Sequence, residues 1–193
     1  MLPLLIMITL NVVNLGYFFL VVINLTGAAR SSTLYSIEGS YTPYATQEAP
    51  SGTSSGSTIL TTPGTVSYTV YKDLMGAVGS PTAAQVQVCS QINTNSATGA
   101  GVHGAGASQL ANCVICDTSS GCVASNSYLG SPAPSADPEA PSFVANQIDV
   151  RYSFSTLFPG RIFNIPLQAF SGICNASGSC AFTRRARMRS MGP

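Results

Sequence analysis

The chain has 193 residues, of which 45% are hydrophobic and only 8% charged, with a formal net charge of +1. A typical soluble domain carries about 25% charged residues, so this composition argues against a free cytosolic globule, whose surface needs charge, and against charged disorder. With a single His, no Trp and almost no net charge, no overall field recruits nucleic acid or acidic substrates.

The first charged side chain is Arg30. Residues 1–29 read MLPLLIMITLNVVNLGYFFLVVINLTGAA, interrupted mainly by Thr9, Asn11, Asn14, Asn24 and Thr26. An apolar run of 18 or more residues is a membrane-helix candidate. A cleaved secretory signal has a basic start and a shorter apolar core, so the segment is predicted to be a retained helix. Pro3 suits a first helical turn. The helix is predicted to continue to Gly39, a C-cap residue, over about 54 Å at 1.5 Å per residue. Arg30 as a cytoplasmic mark places the remainder inside. Six cysteines place it in an oxidising compartment instead, and the cysteines are given the greater weight.

Residues 40–65 are rich in Ser, Thr, Gly and Pro and read as a connector. Val66, Val70, Leu74 and Val78 recur every four residues, which predicts a short amphipathic helix over 66–78, ended by Gly79 and Pro81. In AAQVQVCSQI, Val86 and Val88 alternate with Gln85, Gln87 and Cys89, a strand pattern. Residues 93–142, mostly Gly, Ala, Ser, Asn and Pro, read as a surface excursion held by disulfides. Residues 143–158 form the clearest strand, with Ile148, Val150, Tyr152, Phe154 and Thr156 on one face. A last strand is predicted near 180–189, with Phe182, Ala186 and Met188 inward and Arg185, Arg187 and Arg189 outward. Arg184 falls on the inner face.

Six cysteines allow fifteen pairings. The spacing favours Cys174–Cys180 across a turn-rich loop, Cys116–Cys122, and Cys89–Cys113. A zinc site on Cys113 and Cys116 is the alternative, but a second CxxC is missing. No metal or cofactor is predicted. Gly99 to Gly104 fits GxGxxG, yet lies in a Gly/Ala loop without the flanking strand and helix of a dinucleotide site. Gly52 to Gly56 fits GxSxG without a nucleophile elbow, and the one His, His103, sits in the glycine loop. Asp137 and Glu139 read as solvated loop. An enzyme therefore ranks last. The C-terminal arginines suit an outward strand face, anionic lipid or an acidic subunit. Nucleic acid is disfavoured because no aromatic platform accompanies them. Asn175-Ala-Ser177 is a glycosylation sequon in the Cys174–Cys180 loop, whereas Asn24-Leu-Thr26 falls in the apolar helix.

Asn11 and Asn14 share a helix face, and Gly16, Gly27, Ala28 and Ala29 permit close backbone approach. Small residues and Asn favour helix–helix association in apolar surroundings. Asn11, Asn14, Gly16 and Gly27 are thus predicted helix-packing residues.

The stretches LPLLIMITLNVVNLGYFF with LTGAARSS, then IDVRYSFSTLFPG at 148–160, then the closing RRARMR, together resemble TadE-like pilus proteins. Under half the chain carries the resemblance, and none of these stretches is a catalytic signature. It implies a pilin-like subunit of the tight-adherence class. Such a subunit is inserted in the inner membrane before assembly, handled by pilus assembly machinery, and ends in an extracellular filament. One departure is that no short basic leader ending in Gly precedes the helix, and the first acidic residue is Glu38.

The reading is α+β. Residues 1–39 form a hydrophobic assembly or membrane helix, and residues 40–193 an exported domain with a small antiparallel sheet, a short helix and disulfide-bonded loops. The function expected is a structural subunit of a pilus-like filament, self-associating through its N-terminal helix. The alternatives are a minor, membrane-held accessory pilin and a membrane-anchored exported adhesion domain.

Overall fold

The computed structural model describes residues 2–38, 65–76, 78, 80–93, 102–106, 109–118, 121–124, 129, 139, 143–158, 165–168, 174 and 179–191. The fold is α+β. Helix α1 is Leu2–Glu38, α2 is Val66–Met75 and α3 is Ile165–Gln168, with a 3-10 turn at Pro81–Ala83. The strands are β1 (Ala84–Asn93), β2 (Val102–Gly106), β3 (Gln109–Asp117), β4 (Gly121–Ala124), β5 (Phe143–Ser155) and β6 (Ser179–Met191). The predicted connector and the sequon at Asn175 lie outside the described residues, as does the Gly39 cap.

All pairings are antiparallel, in the order β2-β3-β1-β5-β6. Strand β4 pairs with β3 as well, opposite Val114 to Asp117, while β2 pairs with the earlier part of β3. Two short hairpins therefore share one edge of β3. These three strands fall inside the stretch read as a surface excursion, which corrects that reading. The GxGxxG run, read as a loop, likewise enters β2 at Val102. Pairing of β3 to β1, and of β2 and β4 to β3, supplies order that a Gly/Ala/Ser composition does not announce.

The sheet has one apolar and one polar face, as period-two alternation requires. Val86, Val88, Cys116, Ile148, Val150, Tyr152, Phe154, Cys180, Phe182 and Ala186 face the helices and are buried. Strand β5 ends at Ser155, one residue short of Thr156. On β6, Phe182 and Ala186 are buried and Met188 half-buried, and half-buried Arg184 lies over the Phe182 ring.

Helix α2 starts where Thr65, in extended conformation, accepts a hydrogen bond from the Tyr68 N–H through its side chain. Val66, Val70, Leu74 and Val78 are all buried, so the predicted apolar face is the packed one. Tyr71 sits beside it and donates from its hydroxyl to the carbonyls of Ala84 (2.8 Å) and Cys116 (3.2 Å), tying α2 to β1 and β3. Burial pushes this hydroxyl far above the ordinary tyrosine pKa, and Asp117 adds to the shift.

Polar residues are also buried on the opposite face of the sheet. Register places Gln87, Asp149 and Arg185 side by side across β1, β5 and β6. The Asp149 carboxylate accepts from Arg185 Nε at 2.7 Å and from Gln147 Nε2 at 2.7 Å. Gln87, predicted to point outward, is fully buried, and its Oε1 accepts from the Leu129 N–H at 2.7 Å. Leu129 thus lies against this face. Arg189 meets Glu139 at 3.4 Å on the surface.

Cys89 and Cys113 lie opposite each other in the β1–β3 ladder and are disulfide-bonded, as are Cys174 and Cys180. Cys116 is also disulfide-bonded and faces Cys122 in register, while the Cys122 side chain lies outside the described residues.

Candidate assembly surface

Helix α1 has two faces of different chemistry. The inner one is the stripe Asn11, Asn14, Phe18, Val21, Leu25, Ala28 and Ser32, at alternating spacings of three and four, all buried by the chain's own domain. Phe18, Val21 and Leu25 belong to the same core as the sheet and α2, so helix and sheet share one core. Phe18 packs edge-on against Phe154 and Phe182, with ring centroids 5.5 and 5.4 Å apart. Towards the helix C-terminus the seam is made of small residues, Ala28, Ala29, Ser32 and Thr33, which lets α2 approach closely. There Ser31 hydrogen-bonds Asp73 of α2, and Asn146 of β5 donates to Ser36 at 3.2 Å.

The two predicted packing asparagines are used inside the chain. Asn14 Nδ2 donates to the Phe158 carbonyl at 3.0 Å, and Asn14 Oδ1 accepts from the Phe158 N–H at 3.1 Å. Asn11 Oδ1 accepts from the Ile165 N–H at 3.1 Å, and its Nδ2 donates to the Met7 carbonyl. Both side chains therefore face the residues that follow β5, rather than the open side of the helix. A carboxamide can donate to the carbonyl and accept from the N–H of one residue, which is why Asn suits this junction.

The outer face is different. Gly16, Leu20, Ile23 and Gly27 follow one another at spacings of four, three and four on the side away from the sheet. A methyl group built on Gly16 or Gly27 meets nothing within 4 Å among the described residues. Leu20 is 48% and Ile23 69% exposed, Val12 extends the same stripe, and exposed Arg30 closes it after Gly27. The two predicted packing glycines thus lie on the open face, opposite the asparagines they were grouped with. Polar side chains on this helix bond to its own backbone: Thr9 to the Ile6 carbonyl, Asn24 to Leu20 and Thr26 to Val22. Such back-bonding leaves few polar groups facing outward, the condition an apolar environment imposes.

Helix α1 is also long and apolar enough to cross a membrane by length and composition. The described residues contain no group of three His, Cys, Asp or Glu placed to hold a metal ion. Compared with known protein families, curated proteins and solved structures, the chain has no match.

Proposed function

We propose that this protein is a structural subunit of an extracellular, pilus-like filament, which polymerises through the outer face of α1 after a stage in which that helix is held in the inner membrane. The observation that carries the proposal is the unpartnered outer stripe itself. It combines large exposed apolar side chains with two glycines that leave the backbone approachable, on a helix whose opposite face is already satisfied.

In water, covering such a face is favoured by about 25 cal/mol per Å² of apolar surface. A low-charge exterior and disulfide-bonded strands suit an exported coat. Repeating a head-to-tail contact without closure gives a fibre. Export and the pilus assembly machinery as a partner follow from the resemblance to TadE-like proteins.

The test is to image sheared extracellular material and purified protein by negative stain, for the wild type and for Gly16→Phe and Gly27→Phe. Both glycines face open space, so these variants keep the monomer fold. The proposal expects regular fibres from the wild type and their loss in the variants. Fibres of unchanged yield and geometry in both variants, or no fibres from the wild type, overturn it.

A further inference from the structure

Where α1 emerges from the domain, a second apolar surface surrounds it. Leu157, Phe158 and Ile165 are 52%, 39% and 54% exposed, although they follow a buried strand. Asn14 and Asn11 fix the backbones of Phe158 and Ile165, and Leu157 adjoins Phe158, so these apolar side chains are presented near one level along the helix. Met7, Ile8, Asn11, Val12, Leu15 and Ile165 enclose an apolar groove of about 300 Å³ at that level. Before it, every residue from Leu2 to Leu10 except Thr9 is apolar, and Leu2, Leu4, Leu5 and Ile6 are exposed. After it, one face is covered by the sheet.

We infer that Leu157, Phe158 and Ile165 form a lipid-contacting collar that seats the domain at the boundary between bilayer and water, with the helix residues before Asn11 in hydrocarbon. The inference rests on the membrane-held stage proposed above and adds where the boundary lies. Lipid is the occupant because a helix apolar on every side needs an apolar medium around it, whereas a single partner helix covers one stripe. The collar is continuous with that all-round apolar segment. Residues 152–160 carry no charge, and Thr156 returns its hydroxyl to the Phe158 carbonyl, which lowers the cost of approaching the interface. Two asparagines that accept and donate to backbone groups at this junction spare those groups from meeting lipid unpaired.

The absence of tryptophan makes the test direct. Full-length Ile8→Trp, Leu157→Trp and Met75→Trp variants are reconstituted in phosphatidylcholine–phosphatidylglycerol vesicles whose acyl chains are brominated near the headgroup or near the tail end. Met75 is 54% exposed on α2, beside Asp73, which bonds Ser31; along α1 that is about 25 Å beyond Asn14. The collar predicts that Ile8→Trp and Leu157→Trp are both quenched, with the ratio of deep to shallow quenching higher for Ile8→Trp, while Met75→Trp is unquenched. If Ile8→Trp is quenched but Leu157→Trp behaves like Met75→Trp, the collar is wrong and the membrane stage stands. If Ile8→Trp is not quenched, the membrane stage itself fails. A blue-shifted but unquenched Leu157→Trp assigns the surface to a second copy and also overturns the inference. Phe158→Trp replaces Leu157→Trp if the latter does not give the wild-type circular dichroism spectrum.

Discussion

Replacing Asn14 by Ala removes both hydrogen bonds to the Phe158 backbone, at 3.0 and 3.1 Å, from a side chain that is fully buried. Each net hydrogen bond is worth about 1 kcal/mol, and a buried group left without a partner costs about 1–3 kcal/mol. Phe158 is 39% exposed, so water reaches part of what is freed. The expected loss is therefore about 2–3 kcal/mol. For a chain of this size each kcal/mol moves the midpoint by about 2–4 °C, which gives a fall of about 5–10 °C. The assay is thermal unfolding of the full chain in a mild detergent, followed by circular dichroism. Asn24→Ala is the control, because Asn24 bonds only the Leu20 carbonyl on the exposed side of the same helix. Ala is the better helix former, so this control stays within about 0.5 kcal/mol of wild type. Equal midpoints for the two variants would refute the reasoning. Loss of fibres with unchanged monomer stability would return Asn14 to the intermolecular role its helical spacing first implied.

The remaining predictions concern the rest of the fold. Arg185→Leu strands the Asp149 carboxylate, which is 1% exposed, and costs about 3 kcal/mol or more, whereas Asp149→Asn leaves an arginine that reaches water and costs about 1–2 kcal/mol. Urea midpoints of the two variants check the order. Tyr71 has its pKa raised in the fold, so its contribution is fully present below the unfolded value of about 10 and is lost as pH rises beyond it. Stability should fall above pH 10, and Tyr71→Phe should flatten that part of the profile while lowering stability at pH 7 by about 1–2 kcal/mol. Removing Cys89–Cys113, which closes a separation of 24 residues, should cost about 3 kcal/mol. Removing Cys174–Cys180, with a separation of 6, should cost about 2 kcal/mol. Denaturation of the paired Cys→Ala variants checks both values.

Much of the architecture is written in local pattern. The charge-free run matches α1, and the four-residue repeat of Val66, Val70, Leu74 and Val78 and the alternation in β5 and β6 each match an element whose apolar face is the buried one. Strands β2 to β4 are illegible because β3 is ordered by its register with β1 and β2 and β4 by theirs with β3, and little periodic apolar content marks them. Helix spacing also showed that Asn11 and Asn14 share a face, but gave no indication of what that face meets. Their partners lie 154 and 144 residues away, at Ile165 and Phe158. The asparagines and glycines were therefore grouped together, although the fold turns them to opposite sides. The buried Asp149–Arg185 pair was missed for the same reason: strand alternation placed both residues on the polar face, and only the β5–β6 register brings them together.

The most direct test of the assembly surface is cross-linking at Ile23, which is 69% exposed at the centre of the outer stripe. No free cysteine is found among the described residues, so Ile23→Cys supplies a reporting thiol. A spacer with two thiol-reactive ends, applied to assembled fibres, should convert the variant to covalent dimers joined through residue 23, the most that one thiol per subunit allows, while Lys72→Cys on α2 remains monomeric. Fibres that form normally and yield no cross-link through Ile23→Cys would contradict assembly through this face.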